Sequence, residues 1–130
     1  MKRLVLLAGL VAIVAIGAAC SSSAAAQPVP AGPAGVGDPT SPTIVAKDMA
    51  FSPATVEVAA NKNVSLHFDN QDSAPHNVAI YKDASASEKI SVGEIVSASR
   101  ADQAVPALAP GTYFFRCDVH TNMTGTIVVK

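Results

Sequence analysis

The chain has 130 residues, with nine Lys and Arg against ten Asp and Glu and a formal net charge of −1. That length accommodates one ordinary domain and little else. With no basic stripe in the sequence, neither nucleic acid nor an acidic phospholipid surface is an expected partner.

The chain opens with Lys2 and Arg3, and the sixteen residues from Leu4 to Ala19 that follow are apolar throughout. A short basic start before a short apolar run reads as an export signal. A membrane-spanning helix needs about 20 apolar residues, so a retained single span is the lesser alternative. Cys20 follows Ile16-Gly17-Ala18-Ala19, which resembles a bacterial lipoprotein cleavage site, where the cysteine becomes the lipid-bearing N-terminus. Gly17 stands where leucine is more usual, and cleavage after Ala24-Ala25-Ala26 would instead release a free soluble protein. Residues 1–20 are thus read as an export signal of lipoprotein type. The product is expected in the cell envelope, lipid-anchored at Cys20 on the outer side of the cytoplasmic membrane, or otherwise periplasmic or secreted.

Residues 21–42 are rich in Ser, Ala, Pro and Gly and lack aromatic residues. They read as a flexible, partly extended linker. From Ser21 onward seven basic and ten acidic side chains give a net charge of −3.

From Thr43 the pattern changes to short strands. Thr43 to Lys47 is the first, Thr55 to Val58 alternates in and out, and Val64, Leu66 and Phe68 share one face of the next. Met49 and Phe51 are expected in the core, with a place near the functional site as an alternative for Met49. His67 is expected to face solvent. Asn61-Lys62-Asn63 and Asp69-Asn70-Gln71-Asp72 supply turns. Asn77 to Tyr81, Ala101 to Val105, Thr112 to Arg116 and Thr124 to Val129 complete the set, with Pro110-Gly111 as a turn. The stretch Lys82 to Arg100 is the least legible, and is assigned a loop, a short helical turn and one strand. Residues 43–130 thus form one all-β domain, a sandwich of six to eight strands.

The chemistry concentrates near the C-terminal end. After the strand Thr112 to Arg116 come Cys117, His120 and Met123 at three-residue intervals, and Gly125 closes the loop. Pairing Cys117 with Cys20 would tie a signal to a core, so Cys117 is left as a lone thiol, which in an exported protein needs a reason. A thiolate, an imidazole and a distant thioether belong to the ligand set of a blue-copper site, which also needs a second imidazole. Pro75-His76-Asn77 supplies one at the start of a strand. Taken singly, Cys117 reads as a buried structural cysteine, His120 as a loop histidine and Met123 as core. The spacing and the upstream His76 make the joint reading the better one.

His76, Cys117, His120 and Met123 resemble the ligand set of the cupredoxin family, which includes plastocyanin, pseudoazurin and amicyanin. The two three-residue spacings are most similar to the ligand loop of amicyanin. The likeness covers residues 38–130 and implies a Greek-key β-sandwich of about eight strands, with one copper ion near one end. It implies a one-electron carrier that is not an enzyme, is monomeric, and exchanges electrons with a donor and an acceptor protein. It also gives Asn77 the task of bracing the ligand loop. Val119 and Thr121 stand where amicyanin-like loops have proline beside the histidine, and Thr121 and Asn122 make the surroundings of His120 more polar than the family's docking patch. The rival reading is a protein that stores copper or delivers it to another exported protein. Zinc would lack a good fourth donor. A Cys-His hydrolase would lack an orienting group and a cleft, and haem attachment would need a Cys-x-x-Cys-His motif that does not occur.

Overall fold

The computed structural model describes residues 38–130; the expected export signal, Cys20 and most of the expected linker lie outside the described residues. Among the described residues nine strands form two sheets: β1 (Thr43–Lys47), β2 (Ala50–Ser52), β3 (Thr55–Val58), β4 (Val64–Asn70), β5 (Ala79–Tyr81), β6 (Lys89–Val92), β7 (Arg100–Val105), β8 (Gly111–Arg116) and β9 (Thr124–Val129). One sheet has the order β2-β1-β4-β7 and the other β3-β9-β8-β5-β6. The chain crosses between the sheets five times, and β1–β4 and β3–β9 are parallel pairs in an otherwise antiparallel fold. The result is an all-β sandwich.

Period-2 alternation sets each strand's inner face. Ile44 and Ala46 of β1 and Val64, Leu66 and Phe68 of β4 are buried on one sheet, and Val56 and Val58 of β3 and Ile127 and Val129 of β9 are buried on the other. Phe51 ties the layers together, its ring centroid 6.2 Å from that of Phe68 and 5.3 Å from that of Phe115. Phe115 requires Gly125 opposite it: a Cβ there would lie 2.1 Å from the Phe115 ring and 2.7 Å from the Ala54 carbonyl.

Several details differ from the sequence reading. The short helical turn expected within 82–100 is absent among the described residues; that stretch contributes β6. A ninth strand, β2, arises because Asp48 and Met49 form a two-residue turn with φ of 52° and 61°. Backbone twist of that hand matches a hairpin. The turn places Met49 at the surface, 42% exposed, and not in the core. His67 does point out of the sheet, but it is only half-exposed, with Ser41 Oγ 2.7 Å from Nε2 and Asp102 Oδ1 2.6 Å from Nδ1. Residues before β1 already run beside β4, with the Thr40 and Pro42 carbonyls accepting from the Ser65 and His67 N–H groups.

Candidate metal centre

The loop of residues 117–123 joins β8 to β9. Its neck is closed by the Cys117 N–H donating to the Met123 carbonyl at 3.0 Å, and a tight turn inside it by the Met123 N–H donating to the His120 carbonyl at 2.9 Å. His76 comes from the connection between β4 and β5. It is fixed by a two-way backbone bridge to Val96, both bonds 3.0 Å long. Buried Asn70 holds that connection from inside, its amide donating to the carbonyls of Ala74 (2.8 Å) and Val96 (2.6 Å).

These constraints bring three donor atoms together. Cys117 Sγ lies 3.8 Å from His76 Nδ1 and 4.0 Å from His120 Nδ1, and the two nitrogens are 3.1 Å apart. The His120 backbone N–H points at the sulfur from 3.4 Å. His76, Cys117 and Met123 are buried, and His120 is half-buried. Cys117 is a free cysteine. Met123, on the same loop, shares hydrogen bonds with both Cys117 and His120. Asn77 is buried, and its Oδ1 accepts from the Asp118 N–H, next to the cysteine, at 2.8 Å.

A family model described as the cupredoxin-like domain matches residues 9–129. The chain belongs to this family. Among solved structures, the cupredoxin-like chain is similar to auracyanin A from Chloroflexus aurantiacus, described as a "blue" copper protein, at 20% identity and a TM-score of 0.62, covering 69% of this chain and 98% of that one. Auracyanin from Roseiflexus castenholzii gives 20% identity and a TM-score of 0.63, covering 72% and 99%. Amicyanin from Paracoccus versutus gives 23% identity and a TM-score of 0.54, covering 79% and 86%. No curated protein matches the chain.

The donor set of this cupredoxin-like domain fits a copper ion. A triangle with the three separations above has its centre roughly 2.1 Å from every corner, within the range of about 2.0–2.3 Å for metal–nitrogen and metal–sulfur bonds. Two imidazoles and a thiolate in a plane, with a thioether nearby, suit that metal.

Two carboxylates that the sequence reading left out hold the site's rim. Asp118 takes a hydrogen bond from the Tyr81 hydroxyl at 2.5 Å and one from Lys89 Nζ at 2.9 Å. Burial works to raise its pKa, but these bonds outweigh it and the pKa lies below the usual carboxylate value. Asp72 accepts from the Asp48 and Met49 N–H groups at 2.8 and 3.0 Å, and its Oδ2 lies 3.2 Å from His76 Nε2. The Met49 N–H is the main cause that holds its pKa below the usual value. The partners of Asp118 come from separate strands, β5 and β6, and leave no local sequence signature; Asp72 lies only four residues before His76, but its carboxylate is fixed by the distant turn of Asp48 and Met49.

Proposed function

We propose that this chain is a type 1 copper protein that carries single electrons outside the cytoplasm. His76, Cys117 and His120 would be the strong ligands and Met123 a weaker fourth one. The reading rests on the triangle of Nδ1, Nδ1 and Sγ atoms, fixed by hydrogen bonds from three connections of the fold. Copper held there would supply a one-electron couple whose two states tolerate the same ligands. The chain contributes rigidity and dryness: three donors are buried, and the loop neck and the Val96 bridge oppose ligand movement. Half-buried His120 is the route by which electrons enter from a donor protein and leave to an acceptor. Asn77 braces the loop through Asp118. Burial of the donors favours retention of the metal over delivery to another protein, and no residue is assigned to catalysis.

The remaining assignments follow the sequence. Residues 1–20 direct export, Cys20 carries lipid, residues 21–42 tether the domain to the membrane, and residues 43–130 work as a monomer in the cell envelope. The basic start, the apolar run and the cysteine that ends it support this. Mass spectrometry of the mature N-terminus tests it: an N-terminus beyond Cys20 would overturn the lipid anchor.

The metal assignment is tested by adding Cu(II) to the purified protein. An intense visible thiolate-to-copper band and a small hyperfine splitting in electron paramagnetic resonance are expected. A colourless, copper-replete protein would falsify the reading.

A further inference from the structure

Asp72 is held on every side. Its backbone N–H donates to Asn70 Oδ1 at 2.9 Å, and its carbonyl accepts from the Ala98 N–H at 2.8 Å. Its two carboxylate oxygens take the N–H groups of Asp48 and Met49, the pair of left-handed residues that turn β1 into β2. The carboxylate is therefore positioned by backbone from a different part of the sheet, and one of its oxygens is left 3.2 Å from Nε2 of the fully buried His76 ring.

An ionised carboxylate only accepts hydrogen bonds. Beside Nε2 it requires the ring proton there, and the lone pair of a neutral His76 ring is then on Nδ1, the atom that faces Cys117 and His120. A ligating histidine whose other nitrogen donates to a carboxylate is oriented and made more basic. A backbone carbonyl could orient the ring equally well, but it brings no net charge.

We propose that Asp72 is a positioning residue of the metal centre. It selects the His76 tautomer that leaves Nδ1 free, and its negative charge favours the more highly charged state of a bound copper ion. The part concerning charge rests on the copper reading; the part concerning the tautomer does not.

The test uses the mature chain and its Asp72→Asn variant. In the copper-free wild type at neutral pH, long-range nitrogen–proton NMR should place the His76 ring proton on Nε2. In Asp72→Asn, whose amide oxygen can still accept from Nε2, only the charge is lost: Cu(II) binding should weaken about tenfold or more, and the copper midpoint potential should shift upward; in a second variant, Asp72→Ala, the proton preference should be lost as well. A purely structural role would lower the melting temperature and leave tautomer and potential unchanged. A wild-type proton on Nδ1 would overturn the proposal without any variant, and so would a coloured Asp72→Asn protein with the wild-type potential. If the wild type takes up copper without colour, the functional reading fails, while the NMR measurement still decides the tautomer.

Discussion

Cys117 and Met123 sit on one loop, yet their loss should have different consequences. With copper bound, the Cys117 thiolate would be the one anionic donor in the triangle, and a serine hydroxyl cannot replace it as a charge-transfer partner. Cys117→Ser should abolish the visible band of the copper-loaded protein while the fold remains, as checked by absorption and circular dichroism. A thioether is a weak axial donor that tunes a site without defining it. Met123→Leu conserves volume at a buried position, where such swaps usually cost under about 1.5 kcal/mol. It should keep a coloured site and raise the midpoint potential, because an electron-pair donor to Cu(II) is lost. Loss of colour in Met123→Leu would show that the thioether does more than tune. The donors were readable in the sequence because Cys117, His120 and Met123 are local neighbours at even spacing. His76 was readable because Pro75-His76-Asn77 is a distinctive triplet. Asp72 and Asp118 were not, since a carboxylate in a turn looks like any solvated turn residue until the fold brings His76, Tyr81 or Lys89 to it.

Strands with one wet face announce themselves by alternation, and β1, β3, β4 and β9 could be read from it. The strand expected somewhere within 82–100 could not be given bounds, and β2 was missed, because both lack that signal. β6 has the burial pattern of an edge strand, with no buried residue among Lys89–Val92. β2 is three residues long and follows a turn with neither glycine nor asparagine in its two central positions. A left-handed backbone at Met49 is strained for an L-residue, and its side chain recovers little by burial. Met49→Gly should therefore raise stability by about 1 kcal/mol, as a rise in the melting temperature of the copper-free protein. An unchanged or lower melting temperature would mean that the methionine side chain packs more than its exposure suggests. Gly125 is the opposite case. Its missing Cβ leaves room for the ring of Phe115, which closes the core beneath the ligand loop, and the Ala54 carbonyl blocks the other way out. Gly125→Ala should destabilise the fold by about 1–3 kcal/mol, as overpacking does, and should disturb the copper spectrum because Thr124 and Gly125 lead directly out of the loop.

At the scale of the molecule, stability in acid depends on carboxylates that do not touch the candidate metal ligands. Asp69 of β4 accepts from Gln71 at 3.1 Å and from Arg100 of the neighbouring β7 at 3.3 Å. These hydrogen bonds, that of Gln71 foremost, hold its pKa below the usual carboxylate value. Thr40 does the same for Asp38, and Ser85 for Asp83. A folded-state pKa below the unfolded one means that the unfolded chain takes up protons first as the pH falls. The stability these groups contribute is complete above the unfolded carboxylate pKa of about 3.9, and it is lost as the pH drops through their lower folded values. Asp38 and Asp83 are solvent-exposed, and the half-buried Asp69 is paired with a largely exposed Arg100, so each contribution is small and screened by salt. Thermal melts of copper-free wild type and Asp69→Asn should therefore differ most near neutral pH, the wild type being more stable, and should converge as the pH is lowered past 3.9. Added salt should shrink the gap at neutral pH. A gap that widened in acid would mean that Asp69 is bound more tightly as the neutral acid than as the carboxylate, contrary to its pairing with Arg100.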